Sequence, residues 1–264
     1  IIQNFPGLVQ NKGWEIELSS RNVSSTHFNW NTSFNLTVDS NKLLAFPGLA
    51  TSSYSNSYVI GEPLAIRKLY EYKGVDPQTG LYSFTDFNRN GIIQQDDRQI
   101  LKHTNPSFYG GLQNNFVIGK FEAGFFFQFV KQNGIEPIFA SFNPSGFNVN
   151  EPIMVLDRWR KPGDVARYQR YTATYGDAFN TASLVANSSA VITDASFIRL
   201  KNIFASYTVS AKTLQHLRIS SVKIFVQGQN LATITRYKGP DPENQSVTAI
   251  PPLRMLTGGI HLIF

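Results

Sequence analysis

Apolar and polar residues alternate with a period of two in several segments of the chain. The clearest example is residues 27–39. One set of alternate positions there holds Phe28, Trp30, Thr32, Phe34, Leu36 and Val38, and the other holds His27, Asn29, Asn31, Ser33, Asn35 and Thr37. Successive side chains of a β-strand point to opposite faces, whereas a helix would mix the two sets. The segment therefore predicts a strand with one apolar face and one face rich in amides and hydroxyls.

The same pattern predicts seven strands, most of them joined in pairs by short turns. They are residues 12–22 and 27–39, 110–119 and 121–131, 194–210 and 216–231, and a last strand at 253–264. In the fourth of these, Phe121, Ala123, Phe125, Phe127 and Phe129 form an almost purely aromatic stripe. Alternate side chains of a strand share one face, so we interpret the stripe as a surface in contact with lipid.

Three much longer segments connect these elements. They are residues 40–109, 132–193 and 232–252, which are rich in Asn, Ser, Gly, Pro and aromatic residues. Compact soluble domains rarely contain three such connections, whereas transmembrane barrels combine short periplasmic turns with long extracellular loops. If the turns near Ser24, Lys120 and Thr213 are periplasmic, the first long segment must contain zero or two crossings. Within it, we predict that residues 53–60 and 63–75 pair as a hairpin above the membrane.

Composition agrees with a barrel in a membrane. Aromatic residues make up 13% of the chain and charged residues only 16%, yet the mean hydropathy is -0.19. No segment supplies the run of about 20 apolar residues that a spanning helix needs. Cysteine is absent, which excludes disulfides and thiolate metal sites. The cations behind the net charge of +6 are scattered singly, unlike a nucleic-acid-binding tract.

The predicted fold class is all-β: a portion of an antiparallel transmembrane β-barrel, with about 7–9 strands and long extracellular loops. An odd number of strands does not close a bacterial barrel. Two open edges in lipid would leave backbone groups unpaired, each at a cost of several kcal/mol. We therefore expect the remaining strands to come from the rest of a longer polypeptide or from another chain.

A series of short motifs runs along the chain in a fixed order. It comprises YKGVDPQTG at 72–80, DFNRNG at 86–91, NPSF at 105–108, GGL at 110–112, RW at 158–159, PGD at 162–164, DASFIRLKN at 194–202, GQNL at 228–231, GPDPE at 239–243 and PPLR at 251–254. This series resembles the C-terminal half of SusC/RagA-like TonB-dependent transporters, and it covers nearly the whole chain.

The resemblance implies a full barrel of about 22 strands, of which residues 1–264 would form the C-terminal part. The family's plug domain, its TonB box and its first barrel strands have no counterpart here. By resemblance, the whole transporter would import oligosaccharides, peptides or other large nutrients across the outer membrane, powered through TonB. A SusD-like lipoprotein would cap it at the cell surface, and outer-membrane lipid would surround the barrel.

Residues 86–97 have the spacing of an EF-hand calcium loop, with oxygen-bearing side chains at positions one, three, five and twelve and glycine at six. We predict that Asp86, Asn88, Asn90 and Asp97 would supply side-chain oxygens and Ile92 its carbonyl. Position twelve is Asp rather than the longer, bidentate Glu. The alternative is a turn rich in Asn and Gly that is held by Asx hydrogen bonds. The sequence predicts no other cofactor.

Aromatic residues supply two further candidates. Phe264 ends an alternating strand and resembles the signal read by the barrel-assembly machinery. Cargo contacts are expected among rings of the long segments, namely Tyr54, Tyr58, Phe142, Phe147, Tyr171 and Tyr175.

A secreted all-β module that binds glycans is the alternative from another functional class. A β-sandwich would direct its apolar faces inward and its charged faces outward. The polar faces predicted here are instead rich in amides and almost uncharged. An enzyme is not predicted, because the four His are dispersed and the chain has no H-E-x-x-H, no G-x-S-x-G and no phosphate-binding glycine loop.

Overall fold

A computed structural model of the chain describes residues 6–140, 145–147, 150–209, 219–246 and 248–264. Thirteen strands occur in this part of the chain. They are β1 (Leu8–Ser24), β2 (Phe28–Ala45), β3 (Ile66–Leu69), β4 (Tyr72–Val75), β5 (Tyr82–Phe84), β6 (Ile100–His103), β7 (Phe108–Ile118), β8 (Phe121–Lys131), β9 (Asn133–Ile135), β10 (Ile192–Asp194), β11 (Phe197–Val209), β12 (Ser221–Thr235) and β13 (Met255–Ile263). The α-helices are α1 (Pro137–Ala140) and α2 (Asp177–Val185).

Seven long strands form one antiparallel sheet in the order β1-β2-β7-β8-β11-β12-β13. This confirms the seven predicted strands of the sheet. β2 pairs directly with β7, so the segment between them adds no strand to the sheet. β8 has the predicted bounds, whereas β1 and β2 are longer than predicted at the end away from their shared turn. Residues 210 and 216–218, which belong to two of the predicted strands, lie outside the described part of the chain.

The predicted hairpin between residues 53–60 and 63–75 is wrong. β3 pairs with β6, and β4 pairs with β5. Residues 53–60 form turns that follow a 3-10 helix at Leu49–Thr51. The Ser52 hydroxyl donates to the Leu49 carbonyl at 2.8 Å and accepts from the Tyr54 amide at 3.2 Å. Such local side-chain bonds offer the backbone an alternative to strand pairing, which explains the missing strand.

The first two long connections fold into a cap at the end of the sheet opposite the short turns. We use the term cap for the described residues 46–107 and 132–196. Its core is a set of buried apolar residues, comprising Leu69, Tyr82, Phe139, Val155, Tyr168, Val185 and Val191. The cap is joined to β2 through Leu43, whose amide donates to Glu62 and whose carbonyl accepts from Gly61. Among the described residues, no helix combines the length and the apolar character needed to cross a membrane.

β1 and β13 are the two edges of the large sheet. Each pairs with a single neighbour in the described part of the chain, β1 with β2 and β13 with β12. The outer row of backbone N–H and C=O groups on each edge strand therefore faces away from the sheet. The sheet does not close on itself within the described residues.

Two buried tyrosines, Tyr168 in the cap and Tyr237 in the loop beside it, have opposite hydrogen-bonding states, and this difference generates a prediction. The Tyr237 hydroxyl donates to the Ile135 carbonyl at 2.8 Å, whereas the Tyr168 hydroxyl has no partner in the described structure. We expect Tyr237→Phe to lower the local free energy of unfolding by about 1 kcal/mol, because a hydrogen bond is lost. Tyr168→Phe should leave it unchanged or raise it by about 1 kcal/mol, because an unsatisfied buried hydroxyl is removed.

Hydrogen exchange of the cap amides in the assembled protein measures both effects. A loss of protection in Tyr168→Phe as large as that in Tyr237→Phe would contradict the account of the two hydroxyls.

Candidate functional site: the two faces of the sheet

The register of the large sheet assigns each side chain to one of two faces, because directly opposed residues of an antiparallel pair lie on the same side. One row across the sheet runs through Leu18, Phe34, Leu112, Phe127, Leu200 and Ala232. We call this side the apolar face. The predicted aromatic stripe of β8 lies on it, since Phe127 belongs to the row and the other members alternate with it.

The apolar face is a continuous aromatic and aliphatic surface. Trp30 stacks on Phe116 with ring centroids 5.8 Å apart, and Phe34 stacks on Phe129 at 5.9 Å. The nine residues from Phe121 to Phe129 span about 30 Å at about 3.3 Å each. A strand tilt of about 40° projects this length to about 23 Å, close to the apolar band of about 25 Å in outer-membrane barrels.

Asn114 lies on the apolar face and is nevertheless buried and hydrogen-bonded. Its Oδ1 accepts from the Trp30 indole N–H at 2.8 Å and from the Thr32 hydroxyl at 2.6 Å. A polar group without partners would cost several kcal/mol in hydrocarbon. The neighbouring tryptophan and threonine remove that cost for the amide oxygen.

The opposite side, which we call the polar face, carries mainly amides and hydroxyls. One row runs through Ser19, Ser33, Gln113, Phe126, Asn202 and Gln229, and the next through Asn31, Asn115, Gly124, Phe204, Gln227 and Thr257. Nearer the short turns, the Lys223 ammonium contacts the Glu122 carboxylate at 2.7 Å. Amides and hydroxyls both donate and accept hydrogen bonds, so this face is suited to contact with water or a polar ligand.

Three of the phenylalanine rings on the polar face lie against glycines, an arrangement that sequence reasoning missed. Phe126, Phe204 and Phe225 each cover a glycine of a neighbouring strand, respectively Gly111, Gly124 and Gly259. A Cβ atom built on any of these glycines would lie 2.4 to 2.6 Å from the covering ring. The glycines thus let the rings lie close against the backbone. Phe204 and Phe225 lie directly opposite their glycines, and Phe126 lies diagonal to Gly111. A Phe at a polar position opposite or diagonal to a Gly is therefore the signal that could have identified them.

Phe126 and Phe204 line a shallow cleft of about 360 Å³ on this face. Its polar walls are the amide side chains Gln113, Asn202, Gln227 and Gln229. Rings offer apolar surfaces to C–H groups, and amides offer directional hydrogen bonds, which together suit sugars or peptides. The named walls include no titratable side chain, so the cleft is equipped for binding rather than for proton transfer.

A buried arginine fixes one loop over the cap end of the polar face. Arg199 pairs through its guanidinium with Asp241 and, at 2.6 Å, with Glu243. Its Nε donates to the Thr233 hydroxyl at 3.0 Å, and its guanidinium lies 5.1 Å from the centre of the Phe197 ring. Charge-assisted bonds of this kind fix geometry, and removing one partner would leave a buried charge uncompensated.

The same loop is held from a second side. The Gln132 amide donates to the Pro242 carbonyl at 2.7 Å, and the Gln245 side chain accepts from the Ile135 amide at 3.2 Å. The loop is therefore tied to β9 and to β11 at once. It forms a fixed part of the polar face next to the cap.

The predicted calcium loop is organised around backbone N–H groups. The buried Asp97 carboxylate accepts from the amides of Gln94 at 3.0 Å, Phe87 at 2.8 Å and Asn88 at 3.4 Å. The Gln94 amide contributes most to holding the pKa of Asp97 below its usual value, and the other two amides add to the effect. This carboxylate therefore caps the segment internally.

The other predicted calcium ligands make Asx-type contacts. The Asp86 carboxylate accepts from the amides of Asn90 at 3.3 Å and Gly91 at 2.7 Å, and the Asn90 side chain accepts from the Ile92 amide at 2.9 Å. The Asn88 side chain also accepts from the Asn90 amide, at 3.1 Å. Within the described residues, no group of three His, Asp or Glu side chains is arranged to hold a metal ion. The calcium assignment stays a prediction.

The remaining sequence candidates are placed but not tested by the structure. Phe264 follows the last residue of β13 and is 83% exposed. Tyr54 stacks on Tyr58 with centroids 5.6 Å apart, and Tyr175 meets Phe147 at 5.8 Å. The Tyr171 ring lies beneath the Arg158 guanidinium at 4.0 Å. Residue 142 lies outside the described part of the chain.

No family model matches the chain. Among curated proteins, the chain is similar to TonB-dependent receptor P3 of Formosa agariphila, with 28% identity over 92% of this chain and 26% of that protein. It is also similar to TonB-dependent receptor SusC of Bacteroides thetaiotaomicron, with 24% identity over 95% of this chain and 26% of that protein. The chain thus spans 26% of the length of each of these two relatives.

Solved structures give the same result for the fold. The RagAB peptide importer in the open-open state matches with a TM-score of 0.78 and 21% identity, over 98% of this chain and 29% of that chain. The RagAB peptide transporter matches with a TM-score of 0.74 and 20% identity, over 97% of this chain and 29% of that chain. The comparisons confirm the predicted resemblance to SusC/RagA-like TonB-dependent receptors, the antiparallel β fold class and the outer-membrane location.

The contacts between rings and glycines generate a prediction for assembly. A Cβ on Gly124 would lie 2.6 Å from the Phe204 ring and 2.9 Å from the Asn114 carbonyl, whereas a Cβ on Gly258 would have only one neighbour, at 3.8 Å. We expect Gly124→Ala to lower the yield of assembled, heat-resistant barrel several-fold and Gly258→Ala to leave it unchanged. Adding Phe204→Leu to Gly124→Ala should restore part of the yield. Equal yields from the two glycine variants would contradict the described packing.

Proposed function

We propose, from the likeness of this chain to SusC/RagA-like TonB-dependent receptors, that it forms part of the wall of an outer-membrane nutrient importer. The observation that carries the proposal is a single sheet with one uncovered apolar face and one polar face. Trp14 on the apolar face is 77% exposed, and Leu256 is 75% exposed. Apolar surface of this extent is stable only against lipid or another protein surface.

The secreted glycan-binding module fits this arrangement less well. A sandwich needs a second sheet over the apolar face. In the described residues, the other sheets have two strands each and lie in the cap. The core of the cap is built from its own residues and does not cover the rings of β8. Hydrocarbon is therefore the proposed environment of the apolar face.

The edges of the sheet support a larger assembly. In the part of the chain that the structure describes, β1 and β13 both present an unpaired edge, which is costly in lipid. We propose that further strands and the plug domain come from the same longer polypeptide or from another chain, and that residues 1–264 are the C-terminal part of the barrel. The small fraction of each relative that the chain spans is consistent with this proposal.

The proposed cargo is a large nutrient, either an oligosaccharide or a peptide. RagAB, whose structure shares the fold of this chain, is a peptide importer. The polar face supports such a cargo, because its rings and amides suit both classes of ligand and its chemistry is not catalytic. A SusD-like lipoprotein is proposed as the surface partner, and TonB as the source of energy through a segment outside this chain. No enzymatic role and no nucleic-acid partner are proposed.

Uptake by cells tests this function. We expect deletion of the full-length gene to abolish growth on one class of oligosaccharide or peptide as sole nutrient, and expression of the full-length protein to restore it. Restoration should fail in a strain that lacks TonB, because import is driven through TonB. The Gly258→Ala protein, which is expected to assemble normally, serves as a control for the expression of a variant and should restore growth fully. Recovery of the protein in the soluble fraction, or restored growth without TonB, would contradict the proposal.

A further inference from the structure

A groove on the apolar face, at its cap end, combines apolar walls with two cations. The walls are Phe108, Phe129, Ile198 and Ile234, and Lys131 and Arg236 lie at its upper end. We call this feature the rim groove. Its volume of about 430 Å³ lies within the range of about 300–1,000 Å³ that is typical of ligand sites.

The groove arises from the way one ring leans. Gly110, Phe129, Ile198 and Ile234 form one row across four strands. A Cβ built on Gly110 would lie 2.6 Å from the Phe129 ring, so this ring lies over β7. The ring also stacks on Phe34 of β2 at 5.9 Å. Because the ring leans toward β7, space opens on its other side, between β8 and β11.

The two cations lie at the cap ends of β8 and β12. Lys131 follows Phe129 by two positions within β8 and so points to the apolar face. Arg236 directly follows the last residue of β12 and lines the groove. The Lys131 ammonium lies 3.3 Å from the Asp194 carboxylate, and both side chains are about half exposed. Arg236 is exposed and forms no ion pair with any other residue that the structure describes. The groove therefore keeps a net positive charge at its upper end.

Hydrogen bonds from Ser196 favour the ionised form of Asp194. The Asp194 carboxylate accepts from the Ser196 hydroxyl at 2.5 Å and from its amide at 2.9 Å. These two bonds lower the pKa of Asp194, and Lys131 adds a smaller effect. The carboxylate is therefore ionised at neutral pH and cancels one of the two cationic charges.

The position of the groove indicates its ligand. In a barrel with short periplasmic turns, the cap end of the apolar face meets the outer leaflet. Apolar walls would then lie at the depth of the acyl chains, and the cations at the depth of the head groups. A ligand that matches both must carry an acyl chain and, next to it, a fixed negative charge.

We propose that the rim groove binds a phosphorylated glycolipid of the outer leaflet, with an acyl chain between Phe129 and Ile198 and a phosphate at Lys131 and Arg236. This inference rests on the proposed function only in that the apolar face must lie in the membrane. Asp194 opposes the phosphate and limits the affinity. The site is separate from the polar face that would line the import path.

Binding of lipid A by the purified full-length protein tests the proposal. The protein would be placed in phosphatidylcholine nanodiscs that contain phosphorylated lipid A or the same lipid after removal of its phosphates, and bound lipid would be counted by native mass spectrometry. We expect Lys131→Gln with Arg236→Gln to weaken binding of the phosphorylated form roughly ten- to thirty-fold. The wild-type protein should bind dephosphorylated lipid A as weakly as the double variant binds phosphorylated lipid A.

Two further variants separate a specific site from a general charge effect. Lys73→Gln with Lys161→Gln removes the same charge from exposed lysines of the cap and should leave lipid A binding unchanged. Asp194→Asn retains an acceptor oxygen for Ser196 and should strengthen binding, an outcome that misfolding would not produce. If the double variant at the groove fails to assemble, Arg236→Gln alone tests whether lipid A binding weakens. This substitution breaks no ion pair in the described structure.

Equal binding of lipid A by wild type and the groove variant would overturn the proposal, and so would displacement of the lipid by millimolar inorganic phosphate. Nutrient uptake is measured in parallel. If wild type and the groove variant bind lipid A equally while TonB-dependent uptake is normal, the lipid site alone is rejected. Specific lipid binding in a protein that transports nothing would reject the proposed import and retain the lipid site.

Discussion

The structure depends on the register of one antiparallel sheet. Because opposed residues in paired strands share a face, seven alternating strands in register collect their apolar residues on one side and their amides on the other. A slip of one residue at any pair would move a whole strand's rings to the polar side. The pairing of Phe34 with Leu112 and of Phe127 with Leu200 shows that the rows remain aligned across strands distant in sequence.

The other main features of the molecule follow from this arrangement. An uncovered apolar face requires lipid or another apolar surface, and a polar face with few charges suits contact with water. The long connections all leave the sheet at one end, where the first two build a cap with its own core. Arg199 secures the last of these connections to the polar face through Asp241 and Glu243. Within the described residues, the outer edges of β1 and β13 stay unpaired.

Much of the sheet could be predicted from the sequence, because alternation is a local property. β8 was predicted with its observed bounds, and the absence of a further sheet strand between β2 and β7 satisfies the parity condition on the first long connection. The contacts of the polar-face rings were missed because each joins two different strands. Phe126 lies diagonal to Gly111 of β7, and Phe204 lies opposite Gly124 of β8.

Features that rest on non-local contacts were less accessible. The partner of β3 is β6, more than thirty residues away in sequence, whereas residues 53–60 prefer local serine hydrogen bonds. The candidate calcium segment has a recognisable spacing, but spacing alone does not distinguish a metal ligand from an Asx turn. The core of the cap likewise joins residues from two separate connections, as in the contact of Tyr82 with Phe139.

The central claim is that the two faces of the sheet meet different solvents, and spin labels on neighbouring residues test it directly. Val226 lies on the apolar face and Gln227 on the polar face of the same strand. The chain contains no cysteine, so Val226→Cys and Gln227→Cys each provide one labelling site within it. The account predicts that, in the assembled full-length protein, a label at 226 is reached by lipid-soluble oxygen and a label at 227 by a water-soluble nickel complex. Equal access of the nickel complex to both positions would contradict it.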